Sequence, residues 1–151
     1  MYKNIVVGTD GSETAATAVQ HAATLAKSTG ATLHIVHAFQ EVSVHVAALS
    51  ASSGGPVVDL APLNAAINDS ARSVCAAAGA GPSKEGVTVE LHAVNADPAT
   101  ALMTVSESVG ADLLVVGNRG MSGMKRFVLG SVPNKIAHHA PCSLLIVNTT
   151  S

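Results

Sequence analysis

A chain of 151 residues, 48% of them hydrophobic, can bury roughly 70% of its unfolded surface in one domain and needs no second. Aromatic residues make up only 2% and tryptophan is absent, so the core must come from Ala, Val, Leu and Ile, with little to stack on single-stranded bases. A formal net charge of -2 argues against indiscriminate attraction to nucleic acid or to an acidic membrane surface.

The first apolar run, residues 4–8, reads as a strand and meets a polar turn at Thr9-Asp10-Gly11, too early for a signal peptide. Ser12 is a plausible N-cap for a helix that places Ala15, Ala18, Val19, Ala22, Leu25 and Ala26 on one side and stops at Gly30. A second strand follows over residues 32–39. Residues 40–58 contain Ser50-Ala51-Ser52-Ser53-Gly54-Gly55-Pro56, a composition that predicts a mobile excursion rather than a domain linker. From Asp59, the series Leu60, Leu63, Ile67, Ala71, Val74 and Ala78 steps by three and four, which predicts a second helix ending near Gly79-Ala80-Gly81. Pro62 falls in its first turn, where a missing N–H is tolerated.

Residues 87–94 read as a third strand, and Asp97-Pro98 as an N-cap with proline at the first helical position. That third helix buries Leu102, Val105 and Val109 and ends at Gly110. A fourth strand covers residues 112–117, a fourth helix runs from Ser131 to His139 with Pro133 in its first turn, and a fifth strand covers residues 143–148. Strands alternating with helices predict one domain over residues 1–151, a doubly wound parallel sheet of five strands and four helices. Right-handed crossovers make such a sheet reverse once, and ligands bind past the carboxyl ends of the strands at the reversal. The first and fourth strands end in the two most unusual turns, which predicts that they are neighbours.

Charge is unevenly spread. Residues 1–112 carry four positive and ten negative side chains, whereas residues 113–151 carry four positive and none negative. The acid-free part contains Gly117-Asn118-Arg119-Gly120, then nine residues, then Gly130-Ser131. Glycines let backbone N–H groups approach a phosphate, and Ser131 opens a helix whose N-terminal end favours an anion. Arg119, Lys125 or Arg126 could add charge. No lysine follows the glycine pair as in the usual NTPase loop, and there is no GxGxxG fingerprint.

The pattern Gly117-x2-Gly120-x9-Gly130-Ser131, followed by a hydrophobic helix and Pro141-Cys142-Ser143-Leu144-Leu145-Ile146-Val147, closely resembles the universal stress protein family. The opening Ile5-Val6-Val7-Gly8-Thr9-Asp10-Gly11-Ser12-Glu13 is similar to that family's first strand and turn. The resemblance spans essentially the whole chain, most weakly across residues 40–86. It implies strand order 3-2-1-4-5 and a bound adenine nucleotide, ATP or alternatively AMP or cyclic AMP, with Mg or Mn held through the phosphates. Carried over by position, Asp10 would hydrogen-bond the ribose hydroxyls and Ala38 would meet adenine through its backbone. Thr9 and Val116 would line the adenosine pocket beside Gly8, while Gly117, Arg119, Gly120, Gly130, Ser131 and Val132 would surround the phosphates. The resemblance also implies a homodimer paired through the last strand, from Ser143 to Asn148, and a stress-response regulator that acts by ligand occupancy in the cytoplasm.

Other readings of the same residues stay open. Asp10 could cap the first helix or serve as a phosphorylated nucleophile. A slow ATPase or autophosphorylating protein, with Ser122 or Ser131 as acceptor, lacks an evident general base in the acid-free segment. Cys75 and Cys142 form no CxxC and stand 67 positions apart, so they read as small apolar residues of a reducing compartment. Among seven histidines, His34 and His37 fall on opposite faces of a strand and His138 and His139 point apart, so no metal site is expected. His37, next to Ala38, is the exception worth testing.

Overall fold

A computed structural model describes residues 1–56, 59–118 and 129–149. Its elements in chain order are β1 (Asn4–Gly8), α1 (Glu13–Thr29), β2 (Thr32–Phe39), α2 (Val44–Ser52) and α3 (Ala61–Lys84). They continue as β3 (Val89–Asn95), α4 (Pro98–Val109), β4 (Leu113–Gly117), α5 (Ser131–His139) and β5 (Ser143–Val147). The five strands form one parallel sheet in the order β3-β2-β1-β4-β5, so β1 and β4 are neighbours as predicted.

Successive strand residues face opposite sides. Ile5, Val7, Leu33, Ile35, Leu113 and Val115 pack with the alanines of α1. On the other side, Val6, Val36, Leu114 and Val116 pack with Leu102 and Val105 of α4 and Ile136 of α5. Burial on both faces explains why the central strands read as unbroken apolar runs rather than alternating ones. Each fully buried Ile, Leu or Val contributes about 1.5–3 kcal/mol relative to exposure.

Local capping signals set several helix bounds. The Ser12 hydroxyl accepts from the Ala15 N–H at 3.2 Å and Gly30 closes α1 at φ 71°. Asp97 accepts from the Thr100 N–H at 3.2 Å and Gly110 closes α4 at φ 60°. The fourth strand begins one residue later than predicted, because Asp112 is occupied as a clamp. Its carboxylate accepts the Lys3 and Asn4 N–H groups at 2.7 and 2.9 Å, and these bonds hold its pKa below the usual carboxylate range.

Two departures from the sequence reading concern residues 40–84. Within the excursion at residues 40–58, residues 44–52 form α2, so the described helices number five rather than four. The segment before it is tied to α3: the Val42 N–H donates to Asn64 Oδ1 at 2.9 Å, and Asn68 donates to Glu41 Oε1 at 2.6 Å. The second departure is that α3 runs through Gly79-Ala80-Gly81 to Lys84. A Cβ on Gly79 would stand 2.9 Å from Leu91 Cδ2 and 3.2 Å from Val89 Cγ1. Glycine serves close contact between helix and strand here, not termination. The buried residues of α3 are accordingly Ala71, Cys75, Gly79 and Pro82, while Leu63 of the predicted series is 45% exposed.

Candidate functional site

The last ladder contact between β1 and β2 is the Thr9 N–H donating to the Val36 carbonyl at 2.9 Å. The next rung would be the Ala38 N–H on the Thr9 carbonyl, but the His37 ring takes it, with Nδ1 donating at 2.9 Å. Even-numbered residues of β2 turn their peptide groups toward β1, as Thr32 does toward Lys3. The N–H and C=O of Ala38 therefore face the space beyond the end of β1, while β2 itself stays paired with β3 through Ala38 and Val94. With its proton on Nδ1, a neutral His37 ring presents Nε2 as an acceptor.

The turn after β1 is held by its own side chains. Gly11 takes φ 80°, and its N–H donates to Thr9 Oγ1 at 3.2 Å. The Ser12 N–H and hydroxyl both donate to Asp10 Oδ1, at 2.9 and 2.5 Å. Asp10 is thus not the cap of α1, a role that belongs to Ser12. Its Oδ2 has no hydrogen bond among the described residues, and a carboxylate fixed through one oxygen offers the other to a ligand's hydroxyls.

The end of β4 is organised differently. Asn118 donates its N–H to the Val147 carbonyl at 2.9 Å and accepts at Oδ1 from the Thr149 N–H and hydroxyl at 3.0 and 2.8 Å. Its own carbonyl accepts from the Gly130 N–H at 3.2 Å. This last bond matters for the phosphate reading, because it occupies the Gly130 amide that the glycine spacing offers to an anion. Pro133 has no N–H and Gly130 has no side chain to cap α5. Ser131 and Val132 keep the uncommitted N–H groups of that helix start among the described residues, beside the Ser131 hydroxyl.

These turns enclose a cavity of about 330 Å³, within the range of small-molecule sites. Gly8, Thr9, Asp10, Ala38 and Val116 line it from the strand ends. Gly117, Gly130, Ser131 and Val132 line it from the β4–α5 side. Arg119 and Gly120 lie outside the described residues, as do Lys125 and Arg126. The sequence reading also missed wall residues. Leu102 lines the cavity, its Cδ1 within 3.1 Å of where a Cβ on Gly8 would stand, and His37, singled out from the sequence beside Ala38, lines it as well. Asn118 was missed as an anchor, its signal being an Asn directly after a strand-ending glycine.

Lys135 of the acid-free segment is paired, its Nζ lying 3.4 Å from Asp97 Oδ1 across α4 and α5. The Thr100 hydroxyl and N–H, with Lys135, hold the exposed Asp97 carboxyl below its usual range.

Residues 1–148 match the family model described as "Universal stress protein family". The chain belongs to the universal stress protein family. It is 36% identical over 151 residues to universal stress protein Rv1636 of Mycobacterium tuberculosis, covering 99% of this chain and 98% of that one. Universal stress protein YxiE of Bacillus subtilis is 31% identical over 147 residues, covering 97% and 99%. A universal stress protein solved in complex with cAMP is 30% identical with a TM-score of 0.70, covering 99% of this chain and 98% of its own. That universal stress protein relative therefore binds an adenine nucleotide. No helix among the described residues is long and apolar enough to cross a membrane.

Proposed function

We propose that this chain is an adenine-nucleotide-binding regulator that works by occupancy, its ligand stabilising one conformation or partner surface. The observation that carries this reading is the meeting, around one cavity, of three complementary groups. They are the Asp10 carboxylate with a free oxygen, the outward peptide edge of Ala38, and the N–H groups opening α5. Asp10 would accept the ribose hydroxyls, Ala38 would hydrogen-bond the adenine edge, and Ser131 and Val132 would donate to a phosphate. Thr9, Gly8, Val116 and Gly117 would line the nucleoside, and Arg119 and Gly120 would complete the phosphate side. Mg or Mn would enter only through the phosphates. The cAMP-bound relative supports the ligand class.

A monophosphate preference, AMP or cyclic AMP over ATP, is favoured by a specific observation. With Gly130 bonded to Asn118 and Pro133 lacking an N–H, the described start of α5 offers two backbone donors, suited to one phosphate. Holding rather than hydrolysis fits a segment without acidic residues from 113 to 151. Calorimetry with ATP, ADP, AMP and cyclic AMP is the test. Binding of at least one is expected, tightest for a monophosphate, and no heat at millimolar concentrations contradicts the proposal.

We also infer a cytoplasmic homodimer. β5 forms an edge of the sheet and Ile146 on it is 36% exposed, a surface suited to antiparallel pairing with a second copy. Ile146→Lys should convert a dimer to a monomer in light scattering; a wild type that sediments as a monomer contradicts this.

A further inference from the structure

Away from the cavity, on the sheet face that carries α4, the register of β2 and β3 sets His34 beside Glu90 and Val36 beside His92. His34 Nδ1 lies 3.1 Å from His92 Nε2 and 3.4 Å from Glu90 Oε2. Among the described residues, these ligand-type atoms all fall within 4.8 Å of one another. A tetrahedral ion with metal–ligand distances of about 2.0–2.1 Å separates its ligand atoms by about 3.3 Å. The two shortest separations here bracket that edge.

Protonation strengthens the geometric argument. The Asn4 side-chain amide donates to the Val109 carbonyl at 3.0 Å, which turns its Oδ1 to His34 Nε2 at 3.4 Å. The amide oxygen accepts, so His34 carries its proton on Nε2 and directs the Nδ1 lone pair at Glu90 and His92. That lone pair and the Glu90 carboxylate are both acceptors, close together, with His92 the single candidate donor between them among the described residues. A cation satisfies both. The Asn4 amide stands where an outer-shell group commonly orients a metal-bound imidazole.

We propose that His34, Glu90 and His92 form a divalent-metal site of the zinc class, bridging β2 and β3 and separate from the nucleotide cavity. Two imidazoles and a carboxylate make a donor set suited to zinc. His34 is buried, while Glu90 is exposed and His92 half-buried, so an ion reaches the site from the β3 side and keeps a position for water. None of the three residues lines the cavity, so nucleotide binding gives an independent check on folding.

The test is competition for Zn²⁺ between the full chain and a chromogenic chelator, paired with visible spectra of the Co²⁺-substituted protein. One Zn²⁺ per chain is expected, together with a rise in melting temperature. His92→Ala and Glu90→Gln should each weaken Zn²⁺ binding tenfold or more, and Asn4→Ala should weaken it while leaving one ion per chain. Glu90 is exposed, so Glu90→Gln keeps the test sound if His92→Ala folds poorly. The double variant His138→Ala/His139→Ala should bind Zn²⁺ like the wild type. No binding by the wild type, affinity unchanged in both His92→Ala and Glu90→Gln, or affinity lost in the His138/His139 variant overturns the proposal.

Discussion

The turn after β1 and the turn after β4 face each other across one cavity, yet different ranges of interaction hold them. After β1, the side chains of Thr9, Asp10 and Ser12 bond to atoms within two or three residues, and Gly11 supplies the left-handed backbone the bend requires. Among the described residues of this turn, only the Thr9 backbone reaches β2. After β4, Asn118 reaches Val147 and Thr149 in the last strand's exit and pins Gly130 twelve positions on. A ligand group presented by the first turn is prearranged by its own sequence. One presented by the second depends on the sheet having closed through β5.

Asp10→Ala should have the largest effect on binding, about 100-fold or more, since it removes a charged acceptor able to bond two ribose hydroxyls at about 1.5–3 kcal/mol each. Ser12 would still cap α1, so the melting temperature should move little. A variant that binds as well as the wild type breaks the pairing of the two turns into one site. Asn118→Ala sharpens the contrast. It should lower stability by about 1–3 kcal/mol and nucleotide affinity about tenfold, because it frees β5's exit from the side chain of the residue whose backbone carbonyl positions the start of α5. Affinity unchanged despite lost stability would mean that the β4 side is organised without Asn118.

Glycine-to-alanine substitutions separate the two turns further. Gly11→Ala should cost about 1–2 kcal/mol in denaturant unfolding, since its φ of 80° suits no Cβ. Gly130 has φ -57°, which any residue adopts, and a Cβ there would lie 3.3 Å from the Asn118 carbonyl. Gly130→Ala should therefore leave stability within about 0.5 kcal/mol and loosen only the Gly130–Asn118 contact. Equal costs at the two positions contradict the account.

Acid gives the smallest and most gradual effect. His34 is harder to protonate folded than unfolded, so its contribution is complete above the unfolded histidine pKa and declines as pH falls from about 7 toward 5. Asp97 and Asp112 are easier to ionise folded, so their contribution persists above the ordinary carboxylate pKa and is lost below about pH 4. Urea midpoints should fall in two stages, and a flat midpoint from pH 7 to 5 would contradict the buried neutral His34.

The same division between local and distant interactions decides what the sequence made legible. Ser12 with Gly30, and Asp97-Pro98 with Gly110, bound their helices through caps a few residues away, and both helices begin and end where those caps predict. The alternating elements likewise carried the parallel sheet and the adjacency of β1 and β4. Gly79 misled because its local meaning, a helix stop, yields to the proximity of Leu91 and Val89 on another element. His34 and His92 were read one at a time and meet only through strand register across 58 residues. The commitment of the Gly130 amide to Asn118 was hidden for the same reason. Nine of the predicted binding residues do line one cavity, because strand ends at a sheet reversal converge whatever the loops between them do.

The most direct test of the central claim is amide chemical-shift mapping during titration with AMP, which carries both ribose hydroxyls and one phosphate. A saturable response concentrated at Thr9 to Ser12, Ala38, and Ser131 to Val132 is predicted, shifted to about 100-fold higher nucleotide concentration or beyond reach in Asp10→Ala. No response at millimolar nucleotide, or saturable shifts that spare both turns, would contradict it.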